Sequence, residues 1–208
     1  MRSVPDFSIE INCGKKIIAG IDEAGRGPLC GPVVAGAVVF KKYDFDDMPI
    51  ISDSKQMSEK QRNLAYDWIT NNPDVDWAVA QCSPAEIDEL NILWASMRAM
   101  ERAVDLLKEK PEYCLVDGNR VPKNLTGEAV VKGDAKSLSI AAASIVAKVT
   151  RDRLMKELAK KYPEYAWDKN AGYTTLQHLQ AIEKYGINEH YRKSFGPVKE
   201  RLEKNDNS

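Results

Sequence analysis

The sequence predicts an α/β protein in which a mixed β-sheet carries helices on both faces. Two apolar, β-branched segments bounded by glycine and proline, Lys16–Asp22 and Val33–Phe40, are typical of neighbouring strands. After them, shorter strand-like segments alternate with patterns of helical period. A chain of 208 residues without repeats or linkers predicts one domain. Strands that first cluster and then alternate with helices indicate a mixed sheet.

The composition excludes several classes of protein. Hydrophobic residues make up 43% of the chain and charged residues 29%, which is typical of a soluble globular protein. No apolar segment approaches the roughly 20 residues of a bilayer span, and the N-terminus lacks the apolar region of a signal peptide. The four cysteines show no Cys-x-x-Cys spacing, which favours a reduced, cytoplasmic protein. We expect a monomer that does not associate with membranes.

Charge is unevenly distributed, although the net charge of the whole chain is −1. Residues 1–147 carry 17 basic and 22 acidic side chains, whereas residues 148–204 carry 13 and 8. An acidic body with a basic distal quarter suits a protein that binds cations in one place and polyanions in another. A charged and solvated helical surface explains the same numbers equally well.

Two helix starts are well marked in the middle of the chain. Ser58–Gln61 and Ser83–Glu86 both have the capping-box pattern, and Pro84 occupies the first helical position of the second. The first helix stops at Asn71–Pro73, and Asp76–Cys82 follows as a third strand. The residues predicted to face the core are Leu64, Ala65, Trp68 and Ile69 in the first helix, and Ile87, Leu90, Trp94, Met97, Met100, Val104 and Leu107 in the second.

The next part of the chain contains two short strands and one long helix. The predicted strands are Tyr113–Asp117 and Ala129–Val131, and the helix runs from Ala135 to about Lys161. Alanine recurs in this helix, and small side chains allow a helix backbone to approach a sheet closely.

A last helix is predicted at about Thr175–Tyr185, ending before Gly186, a residue type suited to helix termination. His178 lies in this helix and is expected at the surface or as a capping residue. The polar tail Arg201–Ser208 is predicted to be frayed.

Four acidic residues lie where strands end or a helix begins. Asp22 ends the first strand with Glu23 beside it, Asp117 ends the fourth strand, and Asp134 precedes the long helix. Ligand sites of α/β sheets gather at strand ends, and buried carboxylates are costly unless they are paired or bind a metal. Oxygen ligands without His or Cys select Mg²⁺ or Mn²⁺. The pattern therefore predicts a site for divalent cations.

Each acid also has a purely structural explanation. Asp134 is a natural N-cap, Asp117 with Gly118 is a common turn pair, and Asp22 with Glu23 is also explained as the polar end of a strand. Adjacent strand residues point to opposite faces. We therefore expect Glu23 to share a site with Asp22 only if the strand ends or bulges there.

A glycine-rich turn directly follows the first two acids. Gly25, Arg26 and Gly27 allow backbone groups to contact a ligand closely. Tyr173, in a loop after a glycine, could stack on a sugar or base. The candidate phosphate contacts are Lys55, Lys148, Arg151 and Arg153. The structural alternatives are a plain hairpin turn, solvated basic side chains and a half-buried tyrosine.

Taken together, these segments resemble the bacterial ribonuclease HII family from Ile18 to about Val198, nearly the whole chain. The resemblance lies in ordered blocks, which are Gly20–Leu29, Gly31–Ala35, Asp53–Lys55, Asn91–Ile92, Val116–Asn119, Lys132–Ala135, Ile140–Arg153 and Ser194–Phe195. One departure is Ala171, because many members have a lysine before the Gly-Tyr pair. That difference concerns one backbone contact to substrate.

The resemblance implies a ribonuclease H-like fold, with a five-stranded mixed sheet flanked by helices and a helical, substrate-binding extension at about residues 163–200. It also implies an endonuclease that cuts the RNA strand of RNA–DNA hybrids and nicks ribonucleotide-containing duplex DNA 5′ to embedded ribonucleotides. The residues that match the family's metal-binding carboxylates are Asp22, Glu23, Asp117 and Asp134. Gly25, Arg26 and Gly27 match the turn that contacts the 2′-hydroxyl, and Tyr173 matches the tyrosine that reads the RNA-to-DNA junction.

The predicted chemistry agrees with elementary physics. Phosphodiester hydrolysis with two divalent ions, Mg²⁺ or Mn²⁺, needs clustered carboxylates and leaves a 5′-phosphate and a 3′-hydroxyl. Basic side chains of the distal quarter would hold the flanking duplex with little sequence preference.

Three other functions remain open at this point. Ribonuclease HIII shares the chemistry but has an extra N-terminal domain, whereas about 16 residues precede the first predicted strand here. A phosphotransferase could use the same carboxylates but would need a phosphate cradle such as a P-loop, and the sequence has none. A non-catalytic nucleic-acid-binding protein would need the basic quarter but not Asp117 and Asp134.

Overall fold

The structure, a computed structural model, describes residues 4–206, and its strands form one five-stranded sheet in the order β3-β2-β1-β4-β5. The elements are α1 (Ser8–Asn12), β1 (Ile18–Ala24), β2 (Val33–Phe40), α2 (Glu59–Asn71), β3 (Val75–Cys82), α3 (Pro84–Leu106), β4 (Tyr113–Asp117), β5 (Gly127–Val130), α4 (Leu138–Lys161), α5 (Trp167–Asn170), α6 (Leu176–Tyr185) and α7 (Gly196–Asp206). β1 and β2 are antiparallel, as are β2 and β3, whereas β1, β4 and β5 run parallel. The predicted mixed α/β sheet is confirmed.

Helices cover both faces of the sheet, as predicted. α3 packs on one face, where its buried side chains join those of β1, β2 and β4 in one apolar cluster. α2 and α4 cover the other face with a second cluster. The capping boxes that start α2 and α3 are both present, with the Gln61 amide N–H donating to Ser58 Oγ and the Glu86 amide N–H donating to Ser83 Oγ, each at 3.3 Å.

Two side chains predicted for the core are exposed, and that part of the prediction is wrong. Leu64 is exposed because α2 turns Ala65 and Ile69 toward the sheet instead. Trp94 is exposed because Asn91, at a φ of 63°, interrupts the helical geometry of α3. The residues after that kink present a different face to the core from the one that an uninterrupted helix would present.

The long helix α4 starts later than predicted, at Leu138 rather than Ala135. Gly133–Ala135 forms a separate 3₁₀ turn, and the Ser137 hydroxyl accepts the amide N–H of Ile140 at 3.2 Å, so Ser137 is the N-cap of α4. The interpretation of Asp134 as that N-cap is therefore wrong.

α4 lies unusually close to the sheet because glycines of β1 and β2 face it. A Cβ atom on Gly20 would lie 2.1 Å from the carbonyl carbon of Ser139, and one on Gly36 would lie 2.5 Å from the carbonyl oxygen of Ala143. The alanines Ala141, Ala142, Ala143 and Ala147 are completely buried at this contact. Backbone therefore packs on backbone, as the alanine pattern predicted.

Residues beyond α4 form a helical layer around a third apolar cluster, which includes Tyr165, Trp167 and Tyr191. This layer joins the rest through a short antiparallel contact in which the Gly31 amide donates to the His190 carbonyl at 2.9 Å. α7 occupies 196–206, so the prediction of a frayed tail is wrong for 201–206; residues 207 and 208 lie outside the described part. Pro197, in the first turn of α7, was an available start signal.

Within residues 4–206, no helix combines the length and hydrophobicity that crossing a bilayer requires. All four cysteines are free thiols, and three of them are buried. The described residues are therefore held together by four apolar clusters, the smallest of which contains Ile18, Leu115 and Ile140, without a disulfide.

We predict that Gly20→Ala lowers the free energy of unfolding by about 1–3 kcal/mol, because the new methyl group would force α4 away from β1. Urea denaturation measures the change. Gly196→Ala is the matched control, since a Cβ there meets nothing within 4 Å and Ala suits a helix, so its stability should not decrease. Equal stability of the Gly20→Ala variant and the unmodified chain would contradict the close-packing argument.

His178 is completely buried, which corrects its predicted place at the surface. Its Nδ1 lies 2.8 Å from the Tyr173 carbonyl oxygen, so Nδ1 carries the proton. Its Nε2 accepts from the indole N–H of Trp167 at 3.1 Å and lies 2.8 Å from the Tyr191 hydroxyl. Burial lowers the pKa of His178, and the Tyr173 carbonyl offsets this only in part.

This burial predicts a pH effect on stability. Unfolded His178 titrates near pH 6.5, whereas folded His178 titrates lower, so unfolding takes up a proton between those values. Stability should therefore fall as the pH drops below about 6.5, by at most about 1.4 kcal/mol per pH unit from this residue. Urea denaturation at several pH values should show a weaker dependence for His178→Asn. Identical slopes for the two proteins would contradict the prediction.

Candidate active site

Two of the four predicted acids are neighbours because β1 and β4 are adjacent parallel strands. The register pairs Ile21 with Val116, and the next residue on each strand is an aspartate, Asp22 and Asp117. Carboxyl ends of parallel strands meet at the same edge of a sheet. The strand register alone therefore brings together two acids that are far apart in sequence.

Glu23 continues β1 rather than ending it. The strand runs to Ala24 with unbroken pairing, so the expected strand end or bulge at Glu23 is wrong. The Glu23 carboxylate still interacts electrostatically with both Asp22 and Asp117, and it accepts a hydrogen bond from Arg26 Nη1 at 3.2 Å. The Glu23 carboxylate therefore lies near the other acids although the pairing of β1 with β2 is unbroken.

Asp134 reaches the same region from the 3₁₀ turn that precedes α4. The amide N–H of Gly133 donates to Asp117 Oδ1 at 2.7 Å, which ties this turn to the end of β4. A side chain at position 133 would collide with Ile140, since a Cβ there would lie 2.5 Å from the Ile140 Cδ1. The turn hypothesis for Asp117 also holds in part, because Gly118 has a φ of 104°.

Burial and neighbouring negative charges raise the pKa values of three of these acids. Burial raises the pKa of Asp22 well above its usual range, and the charges of Glu23 and Asp117 raise it further. Burial also raises the pKa of Glu23 and of Asp134, and Asp117 adds to both shifts. Like charges held this close favour a bound cation.

The carboxylate oxygens of the four acids lie near one another but do not form a complete set of metal ligands. In the described part of the chain, no three His, Cys, Asp or Glu side chains lie close enough together to hold a metal ion as they stand. Asp22 Oδ1 accepts the amide N–H of Glu23 at 2.7 Å, and Asp117 Oδ1 is bonded to Gly133. The donor set of four carboxylates suits Mg²⁺ or Mn²⁺, since both histidines pack among aromatic rings of the C-terminal layer.

A cavity of about 410 Å³ opens beside Glu23. Six residues predicted to bind substrate line its walls, whereas the candidate phosphate contact Arg153 does not; the six are Gly25, Arg26, Gly27, Lys55, Lys148 and Tyr173. Gly25 has a φ of 94°, and a Cβ on Gly27 would lie 3.5 Å from the Tyr173 ring. The structure therefore brings these candidates together, and their roles remain predictions.

The predicted basic contacts differ in accessibility. Lys55 is exposed, and its charge lowers the pKa of both Glu23 and Asp134, so it faces the acids. Lys148 pairs with Asp152 at 2.7 Å. Arg153 is exposed and lies over the Tyr66 ring. Arg151 is only 1% exposed, so its prediction as a phosphate contact is wrong.

Two residues of this region, Ser144 and Arg192, are not among those predicted from the sequence. The Ser144 hydroxyl lowers the pKa of Asp22 and lies 2.8 Å from the Ser54 hydroxyl. A serine among buried alanines of α4 was the available signal for Ser144. Arg192, which is completely buried behind the glycine turn, had no such signal because its partners are distant in sequence.

Known proteins are similar to this chain over most of its length. The family model described as Ribonuclease HII matches residues 19–197. A ribonuclease HII of Magnetococcus marinus is 53% identical and covers 95% of this chain and 95% of its own length. A ribonuclease HII of Neisseria meningitidis serogroup B is 50% identical, over 89% of this chain and 95% of its own.

Solved structures give the same result at lower identity. The crystal structure of ribonuclease H2 from Pyrococcus horikoshii OT3 superposes with a TM-score of 0.77 at 28% identity, covering 92% of this chain and 100% of that one. Because a family model matches most of its length and about half of its residues are identical to those of named relatives, this chain belongs to the ribonuclease HII family of nucleases.

Proposed function

We propose that this protein is an endonuclease that hydrolyses the RNA strand of RNA–DNA hybrids and nicks duplex DNA 5′ to embedded ribonucleotides. The observation that carries the proposal is the convergence of Asp22, Glu23 and Asp134 on the charge of Asp117, beside a cavity walled by a glycine turn and Tyr173. Membership of the ribonuclease HII family supports this substrate class.

The residues that would hold the metal are Asp22, Glu23, Asp117 and Asp134. Two bound Mg²⁺ or Mn²⁺ ions would supply an activated water for in-line attack and would stabilise the departing 3′-oxygen, leaving a 5′-phosphate and a 3′-hydroxyl. The backbone amides of Glu23 and Gly133 orient two of these carboxylates. Lys55, exposed opposite the acids, would attract the substrate phosphate.

Substrate choice would come from the opposite wall of the cavity. The 2′-hydroxyl is the feature that distinguishes a lone ribonucleotide, and a turn of glycines allows backbone to approach it closely. We assign this contact to Gly25, Arg26 and Gly27. Tyr173, whose ring lies against Gly27, would stack on the sugar at the junction. Lys148 and the layer at about 163–200 would hold the flanking backbone.

The decisive experiment uses a DNA duplex that contains one ribonucleotide, incubated with the purified protein and Mg²⁺ or Mn²⁺. We expect a single nick on the 5′ side of the ribonucleotide, and no nick when EDTA is present. An all-deoxy duplex of the same sequence is the control. A nick that persists in EDTA, or products with a 3′-phosphate, would contradict the proposal.

We predict that Asp117→Asn lowers the rate of cleavage by more than about 100-fold while leaving duplex binding measurable. The substitution removes the charge that the other acids face but keeps an oxygen for the Gly133 amide. Asp22→Asn and Asp134→Asn should behave alike. The matched control is Asp46→Asn, an exposed acid that lies outside the site. Unchanged cleavage by Asp117→Asn would favour a different role for these acids.

We predict that Tyr173→Ala lowers cleavage of a duplex with one ribonucleotide about tenfold more than cleavage of a long RNA–DNA hybrid. The stacked ring matters most where one sugar must be recognised. Single-turnover rates on both substrates give the ratio. Tyr185→Ala removes another exposed tyrosine, on α6, and should leave the ratio unchanged. Equal losses on both substrates would contradict the assignment.

A further inference from the structure

Two arginines are buried beneath the substrate-facing wall of the cavity. Arg192 is 0% exposed and Arg151 is 1% exposed, and no carboxylate of the described residues lies within 4.0 Å of either guanidinium. Burial and the neighbouring Arg151 charge lower the pKa of Arg192 to about 9. Buried charges without an opposite charge are costly, so an unusual set of partners must stabilise them.

Their partners are backbone carbonyl groups of the glycine turn and its surroundings. Arg192 donates to the carbonyl of Gly25 at 2.5 Å, of Arg26 at 2.8 Å and of Gly31 at 3.0 and 3.1 Å. The guanidinium also lies over the Phe195 ring, 5.0 Å from its centroid. Three carbonyls along one bend of the chain therefore converge on one planar cation.

Arg151 connects the same turn to the Tyr173 loop. It donates to the carbonyls of Cys30, Pro32 and Ala171 at 3.0–3.1 Å. A Cβ on Gly25 would lie 2.0 Å from Arg151 Nε, so the turn rests directly on this side chain. Because Ala171 contributes only its carbonyl, this contact does not depend on which side chain occupies position 171.

The direction of these carbonyls fixes the direction of the amides. In a trans peptide the C=O and the following N–H point in opposite directions. The carbonyls of Gly25 and Arg26 point inward to Arg192, so the N–H groups of Arg26 and Gly27 point outward, toward the cavity. Neither amide donates to an acceptor in the part of the chain that the structure describes. Two unpaired donors are thus presented to a ligand.

We propose that Arg192 is the positioning residue that sets ribonucleotide selectivity, because it turns the Arg26 and Gly27 amides outward as a preformed donor pair for a sugar hydroxyl. This inference rests on the proposed function and adds to it the group that holds the turn. Arg151 holds the same turn in a fixed position relative to the Tyr173 loop. Lysine cannot replace Arg192 fully, because one ammonium does not reproduce a planar fork that spans three carbonyls.

The test measures binding in the Asp117→Asn protein, which is expected to bind without cutting. Its affinity for a duplex with one ribonucleotide is divided by its affinity for the same all-deoxy duplex. We expect Arg192→Lys to lower this ratio about tenfold, the value of roughly one lost hydrogen bond, with all-deoxy affinity unchanged. Arg102→Lys is the matched control, since Arg102 also donates to a backbone carbonyl, that of Gln81, and should leave the ratio unchanged.

Two outcomes separate this inference from the proposed function. If the Asp117→Asn protein itself shows no preference for the ribonucleotide, the proposed function fails. If it shows the preference and a folded Arg192→Lys variant keeps it, the role of Arg192 is wrong. Circular dichroism and urea denaturation establish that the variant is folded.

A second measurement leaves Arg192 unchanged, so that the proposal can be tested even if the Arg192→Lys variant does not fold. Amide hydrogen exchange of the Asp117→Asn protein should show Arg26 and Gly27 unprotected in the free state. The ribonucleotide-containing duplex should protect both amides, and the all-deoxy duplex should not. Amides already protected in the free protein, or protected equally by both duplexes, would overturn the proposal.

Discussion

The close contact between α4 and the sheet is the constraint on which the rest of the site depends. Because Gly20 and Gly36 have no side chains, the backbone of the first turns of α4 packs directly on β1 and β2. The same helix then supplies Ser144 beside Asp22, Lys148 in the cavity wall and Arg151 beneath the glycine turn. One rigid element therefore fixes the acids relative to the groups that would select the substrate.

Negative and positive side chains occupy neighbouring positions at one edge of the sheet. Burial and the charge of Asp117 raise the pKa of Asp22 and of Glu23, while two arginines without carboxylate partners lie under the neighbouring turn. Both groups cost folding energy, which the four apolar clusters of the described residues must offset. Under the proposed function, divalent cations would offset the repulsion among the acids. The buried arginines are stabilised instead by backbone carbonyls, those of Gly25 and Arg26 among them.

Local signals in the sequence were sufficient for the sheet and the capping boxes, and they singled out four acids whose metal-binding role stays a prediction. They failed where a contact joins distant segments. Arg151 and His178 were assigned to the surface because nothing near them in sequence shows that Cys30 pairs with Tyr191. Arg192 escaped notice for the same reason, since its acceptors are more than 160 residues away. Trp94 was misplaced because the kink at Asn91 depends on a side-chain cap that periodicity does not reveal.

The arrangement of the acids also explains how a site can be preorganised before any cation binds. Asp22 and Asp117 each have one oxygen fixed by a backbone amide, at 2.7 Å in both cases. A carboxylate is planar, so fixing one oxygen orients the other. The strand register already fixes the relative positions of the two backbones. A cation could therefore bring the carboxylate oxygens together by rotation about side-chain torsions alone. The acids repel one another, and a shared cation would be favourable because its charge would replace several repulsions with attractions.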